Sequence, residues 1–283
     1  MSQFSYDVAV TWRIYSKMSA SRPPIFSEDK LKLSELCLKS FKNSLGGLKV
    51  KLWVLLNSCP PEFEDMFKRV WGLEHLVLVH YTGVAASTTF NEASRILEEQ
   101  MNAEIVYFAC DDYFYLPGQF QQAVAFLKQN PDADFVSVYD HPDLYSTDLH
   151  KLACETRMFG GKNWISCIST TDTCMTTRAT LAGLRGLLLR LKIGFPNGPS
   201  PDLAMWMALT KKRVFNPVKF ARWVVTHRWY WAWSVVLAWV YCWREILFGR
   251  RYKLWIPRPT IATHMVAGLE APGIDWQKEF QKQ

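Results

Sequence analysis

The stretch YFACDDYFYLPG, residues 107–118, opens as an apolar β-run, ends in two adjacent carboxylates, Asp111 and Asp112, and continues into an aromatic cluster and a Pro-Gly turn. Similar β-rich runs occur at 7–12 (DVAVTW), 50–57 (VKLWVLLN), 75–81 (HLVLVHY), 104–109 (EIVYFA) and 134–140 (DFVSVYD). Between them lie segments with helical spacing at 27–45, 60–71, 87–101 and 116–130; in the first, Leu31, Leu36, Leu38, Phe41 and Leu45 form one apolar stripe. Strand alternating with helix at this spacing predicts a parallel sheet with right-handed crossovers. Ligands in such sheets bind beyond the carboxyl ends of the strands, where Asp111 and Asp112 fall. Paired Asp residues also form simple turns, so position alone leaves both readings open.

The chemistry that suits two acids at this edge is metal-assisted. Mg²⁺ and Mn²⁺ take one or two carboxylates together with phosphate oxygens rather than a full protein cage. A divalent ion there offsets the charge that builds on a departing diphosphate.

Composition narrows the classes. The chain has 283 residues, 49% hydrophobic and 14% aromatic, which excludes a disordered protein and allows one large α/β domain with an appendage. Its seven cysteines contain no C-x-x-C pair, so neither a disulfide framework nor a zinc knuckle is expected. The opening MSQFSYDVAV lacks a basic region followed by a long apolar stretch, so no secretory signal is expected and the catalytic part is expected to face the cytosol.

The series of strands followed by FACDDYFYLPGQF, SPDLAMW and THM resembles a GT-A fold nucleotide-sugar glycosyltransferase of the family 2 type. The resemblance spans roughly residues 6–210 with a short return near 256–266. It implies a GT-A, Rossmann-like α/β fold, a mostly parallel sheet flanked by helices. It also implies Mn²⁺ or Mg²⁺ as cofactor, a nucleotide-diphosphate sugar as donor, and inverting transfer to a hydroxyl of a saccharide or glycolipid acceptor. Asp112 then stands at the metal position with Asp111 beside it, and His264 in PRPTIATHM matches a histidine that returns to the metal or diphosphate. Asp202 in GPSPDLAMW is the implied catalytic base, although after Ser200-Pro201 it also suits a helix start. Thr11 and Arg13 stand where relatives grip base and ribose. Two departures are visible: Cys110 replaces the first acid of the motif, and Asn57 replaces an Asp that touches the nucleobase. On the acceptor side the candidates are Trp164, to stack on a sugar face, and Asp172 and Thr173, to bond hydroxyls; as ordinary sheet and turn residues they have equal standing.

Charge and indole concentrate together further on. Residues 211–258 hold 11 Lys/Arg and one acid, a local +10 against +7 for the whole chain, so the remainder carries −3. The same window holds seven of the 13 tryptophans. Its apolar run WYWAWSVVLAWVYCW (229–243) would reach about 22 Å as a helix, short of a bilayer's hydrocarbon core of about 30 Å. Trp and Tyr favour the headgroup boundary and Lys/Arg favour anionic lipid, so 213–256 is expected to form one or two helices lying in or dipping into one leaflet. A buried core helix and a full span are the weaker readings, and the unbroken apolar run argues against nucleic acid. The expected organisation is a catalytic domain at 1–212, a membrane-association segment at 213–256 and a return to the active site at 257–283, on the cytoplasmic face of a membrane.

Two other functions compete. A nucleotidyltransferase would share the sheet and the acidic site, but it wants a glycine-rich loop after the first strand, where the chain reads YSKMSASRPP. A membrane-attached binding protein on a degenerate scaffold is motivated by Cys110 and Asn57.

Overall fold

The computed structural model describes residues 4–18, 23–171, 173–193 and 202–282. Four strands, β1 (Val8–Tyr15), β2 (Val50–Asn57), β3 (Leu76–Tyr81) and β4 (Ile105–Cys110), run parallel in the order β3-β2-β1-β4. The helices α1 (Lys30–Ser44), α2 (Pro61–Trp71) and α3 (Ala86–Glu99) make the crossovers. The next elements are β5 (Tyr113–Tyr115), α4 (Phe120–Gln129), the two-residue β6 (Phe135–Val136), α5 (Asp143–Ser146), β7 (Thr156–Phe159), β8 (Lys162–Cys167) and β9 (Met175–Thr177). Helices α6 (Arg178–Gly183), α7 (Arg185–Ile193), α8 (Asp202–Thr210), α9 (Pro217–Val225) and α10 (Trp229–Leu247) follow, then β10 (Leu254–Arg258), β11 (Ala262–His264) and α11 (Trp276–Phe280).

Beyond β4 the sheet continues β9-β6-β10-β8-β7, with β9 antiparallel to both β4 and β6. This is a mixed α/β fold: a sheet whose first half is all parallel, helices on both faces, and the acidic pair just past the end of β4.

Alternation along β1 sorts the two cores. Val8, Val10, Trp12 and Ile14 join the cluster containing α1 and α2, whereas Ala9 joins the cluster on the opposite face, because successive side chains of a strand point to opposite sides. That second cluster includes Ala93 of α3, Trp206 of α8, Trp223 of α9 and Val235, Leu237 and Cys242 of α10. The basic, tryptophan-rich segment therefore shares a core with the sheet. Moreover β10, which contains residues assigned to that segment, is an internal strand between β6 and β8.

Helix α10 is apolar on two sides for different reasons. Ala232, Ser234, Val235, Leu237, Ala238, Cys242 and Ile246 are buried, while Trp229, Trp233, Val240 and Trp243 are exposed. Among the described residues no helix is long and apolar enough to cross a membrane.

Candidate active site

The aromatic cluster that follows the acids has a structural task. Tyr113, Phe114 and Tyr115 are buried, and β5 pairs antiparallel with β11 in the register Tyr113 to His264, Phe114 to Thr263 and Tyr115 to Ala262. The Met265 amide also donates to the Asp112 carbonyl at 2.8 Å. This small ribbon brings His264, 152 residues away in sequence, to 3.0 Å between its Nε2 and Asp112 Oδ2.

Asp111 and Asp112 turn opposite ways. Lys30 Nζ lies 2.5 Å from Asp111 Oδ2, and Ser34 Oγ donates to the same oxygen at 3.0 Å. Burial raises the Asp111 pKa from its ordinary value, against the pull of Lys30. Asp111 is thus tied to α1 through Lys30 and Ser34. For Asp112 burial also opposes ionisation, but the hydrogen bond and charge of His264, with Lys30 behind, outweigh it and hold the carboxyl below its ordinary value. Sequence reasoning missed Lys30, yet a signal existed. A lysine opening a helix whose first turn has no acid opposes the helix dipole, so it needs a partner elsewhere.

Asp112 Oδ1 and His264 Nδ1 are buried without a hydrogen-bond partner. Such atoms carry a desolvation penalty of about 1–3 kcal/mol unless something meets them. A carboxylate beside an imidazole is a donor set that suits Mn²⁺. Among the described residues no group of three or more His, Cys, Asp or Glu side chains converges on one point. Asp112 and His264 are the two described side chains that would hold an ion at this corner, with phosphate oxygens or water left to complete it.

Arg13 and Asn57 line a cavity of about 410 Å³ with Asp111 and Asp112. Arg13 donates from Nη2 to Cys110 Sγ at 3.0 Å and its guanidinium lies 5.2 Å from the Phe90 ring centroid. The Asn57 amide donates to the Val84 carbonyl at 2.7 Å and accepts from the Val84 amide at 3.4 Å, so it fastens the loop after β3. Thr11 departs from expectation. It is fully buried in the middle of β1, paired between Trp53 and Phe108, because the residue two positions before Arg13 lies that much further from the strand end.

The acceptor-side expectations fare differently. Trp164 is fully buried, stacked on Phe126 at 4.0 Å between centroids, with Nε1 donating to the Phe159 carbonyl at 3.1 Å. It is a core residue and has no free face for a sugar. Thr173 is also fully buried, its hydroxyl 3.1 Å from that of Thr171. Asp172 lies outside the described residues.

Asp202 opens α8 and lines a second cavity, of about 190 Å³, with His141, His150, Thr170, Thr171, Tyr230 and Trp231. A short relay joins this cavity to the acidic corner. The Tyr113 hydroxyl is 2.8 Å from Thr171 Oγ1, and the Tyr113 ring stacks on His264 at 4.8 Å and 19°. Tyr230 and Trp231 come from α10, so the tryptophan-rich segment forms part of the wall. None of Tyr113, Thr171 or His150 was singled out from the sequence, since packing between segments distant in sequence is what brings them together.

No family profile matches the sequence, and no curated protein matches it significantly. Solved structures resemble it at low identity. A mannosyltransferase from Pyrobaculum calidifontis, in complex with GDP-Man and Mn²⁺, is 18% identical over 74% of this chain and 53% of that one, with a TM-score of 0.45. A protein from Desulfovibrio desulfuricans G20, described as a nucleotide-diphospho-sugar transferase, is 11% identical over 69% and 71% of the two chains, with a TM-score of 0.40. A 4-diphosphocytidyl-2C-methyl-D-erythritol synthase from Anaerococcus prevotii is 9% identical over 74% and 86%, with a TM-score of 0.41.

Proposed function

We propose that this protein is an inverting, metal-dependent glycosyltransferase that moves a sugar from a nucleotide-diphosphate donor to a hydroxyl of a saccharide or glycolipid acceptor. One observation carries the reading: the partnerless oxygen of Asp112 beside His264 lies one tyrosine away from a separate cavity that holds Asp202.

The donor diphosphate occupies the cavity lined by Arg13 and the acid pair, where the guanidinium meets phosphate oxygens. Asp112 and His264 would hold Mn²⁺ or Mg²⁺, which when bound offsets negative charge on the departing nucleoside diphosphate. Lys30 neutralises Asp111, so the corner does not repel the diphosphate with two uncompensated carboxylates. The acceptor sits in the Asp202 cavity, where Thr170, Thr171 and His150 offer partners for sugar hydroxyls. The acceptor oxygen bonds to the anomeric carbon as the bond from that carbon to the diphosphate breaks. Its proton passes to the Asp202 carboxylate, and the nucleoside diphosphate leaves with the bonding pair.

Association with the cytoplasmic face of a membrane belongs to the same proposal. Its support is the exposed aromatic and aliphatic set on and beside α9 and α10, Phe215, Val218, Trp243 and Phe248, within a strongly basic segment. Flotation with anionic vesicles tests it: wild type is expected to float, and a Phe215→Ser, Trp243→Ser, Phe248→Ser variant to stay behind. Equal flotation of the two overturns it.

For the chemistry, nucleoside diphosphate release from a panel of nucleotide sugars with Mn²⁺ is compared among wild type, Asp112→Ala and Asp202→Asn. Turnover lost in both supports the assignment; turnover unchanged in both refutes it. Metal-dependent nucleotide binding without any turnover in wild type would identify a binding protein instead.

A further inference from the structure

The ribbon that presents His264 is too short to hold its own shape. β5 and β11, three residues each, form a two-stranded sheet separate from the nine-stranded one. A two-stranded unit is marginal in water unless something packs on it. Its two faces carry different residues, because successive side chains of a strand alternate. Tyr113 and His264, paired in register, share the face that meets Asp112, where their rings stack. The next pair, Phe114 and Thr263, faces the other way.

That second face is covered by the chain that follows His264. Phe114 is fully buried, with the Trp276 ring 6.3 Å and the Phe280 ring 5.0 Å from its own, both edge-on. Thr263 is fully buried too, and its hydroxyl oxygen accepts from the Ala271 amide at 2.8 Å. The Trp276 indole N–H closes the loop onto the Ala271 carbonyl at 2.7 Å. Trp276 and Phe280 are each only 5% exposed, so α11 is seated in the core rather than laid on the surface. The same segment reaches the approach to Lys30: the Ala267 amide donates to the Pro23 carbonyl at 3.0 Å, and Phe280 meets Phe26 at 6.1 Å, just before α1.

We infer that residues 265–280 are a clasp that fixes the His264 ring against Asp112, with Trp276 and Phe280 as positioning residues acting through Phe114 and Thr263. The consequence for a metal rests on the transferase reading above; the fixing of His264 does not. Groups that orient a metal ligand from behind are typically worth about 10–100-fold in metal affinity. A segment that only filled core volume would lower stability when trimmed, without moving one histidine ring.

The test compares the full chain with Phe280→Ala, Trp276→Phe and Thr263→Val. The last keeps the side-chain shape and removes only the acceptor for Ala271, so it guards against a variant that fails to fold. Leu97→Ala, in the core cluster on the opposite face of the sheet, controls for lost stability alone. Two quantities are read below the onset of unfolding. The first needs no metal: the ring C–H resonances of the six histidines in isotope-labelled protein, with His264 assigned by its disappearance in His264→Gln. The stacked ring is expected upfield in wild type, displaced towards the free-histidine position in the three clasp variants, and unmoved in Leu97→Ala. The second is Mn²⁺ affinity in the presence of GDP or UDP, read by electron paramagnetic resonance. It is expected to fall at least about tenfold in the clasp variants and to hold in Leu97→Ala. A His264 resonance that stays put in the clasp variants, or moves as much in Leu97→Ala, overturns the inference. Mn²⁺ affinity lost in Asp112→Ala yet intact in the clasp variants overturns it too and leaves the metal reading standing. A displaced resonance with no Mn²⁺ affinity in wild type removes the metal reading and supports the clasp.

Discussion

The two sides of the candidate cleft are assembled by opposite means. On the donor side, Arg13, Asn57, Asp111 and Asp112 stand at or just past the ends of three parallel strands, so one sheet delivers them to one edge. On the acceptor side, Asp202, His150, Thr171 and Trp231 come from a helix start, two loops and a second helix. The difference teaches that a regular sheet carries chemistry to a place its sequence already announces, whereas a wall built from loops and helix ends has no periodicity to reveal it.

Substitutions across the relay separate the two sides most sharply. Asp202→Asn is expected to lower turnover by about 10²–10⁴-fold with nucleotide affinity retained, the range for a lost general base. Asp112→Ala is expected instead to abolish the metal-dependent part of nucleotide affinity, measured by titration with and without Mn²⁺. Similar losses of nucleotide affinity in both variants would mean that the two cavities are not functionally distinct.

Trp164→Ala comes next. As a stacked core residue it is expected to lose about 3–5 kcal/mol of unfolding free energy in denaturant titration. A raised acceptor KM at unchanged stability would restore its role as a sugar platform.

His150 gives the acceptor side a pH signature. Burial first, then the neighbouring charges of His141, Arg213 and Lys212, lower its pKa from 6.5 to about 4. The unfolded chain therefore binds the extra proton between these values, so the stability contribution is complete above about pH 6.5 and is lost as pH falls towards 4. The loss is at most about 3 kcal/mol, and denaturation midpoints of His150→Gln are expected to fall less over that window.

Tyr113→Phe is milder, removing one hydroxyl from the relay to Thr171. It is expected to cost about 1 kcal/mol of stability and to change acceptor kinetics more than nucleotide affinity. Smallest of all, Trp243→Ser at the exposed face should shift stability by no more than about 0.5 kcal/mol, read from its thermal midpoint.

Legibility followed the same division. Four parallel strands and their crossovers were readable because a buried strand and an amphipathic helix each impose a period on local sequence. The run at 134–140 was read as a full strand, yet only Phe135–Val136 pairs as one; Ser137 turns its hydroxyl into a local bond with the Tyr139 amide, and Val138 gives its carbonyl to Ile261 and Ala262. Trp164 was misassigned because an aromatic among polar residues looks the same in sequence whether its faces are covered or bare. Only Phe126, from helix α4 beneath strand β8, decides which. Similarly, α10 reads as uniformly apolar, and the sequence cannot tell which face α8 and the sheet will cover.

By itself the sequence determined that an α/β sheet ends a strand in two adjacent carboxylates, and that a basic aromatic segment follows late in the chain. Both are local patterns, fixed by side-chain periodicity and composition. Tertiary structure alone decided that Asp111 binds Lys30 while Asp112 meets His264, that Thr11 and Trp164 are core, and that α10 walls the Asp202 cavity. Those outcomes depend on which distant surfaces exclude water from one another, and a carboxylate or an indole has no role until its neighbours are in place.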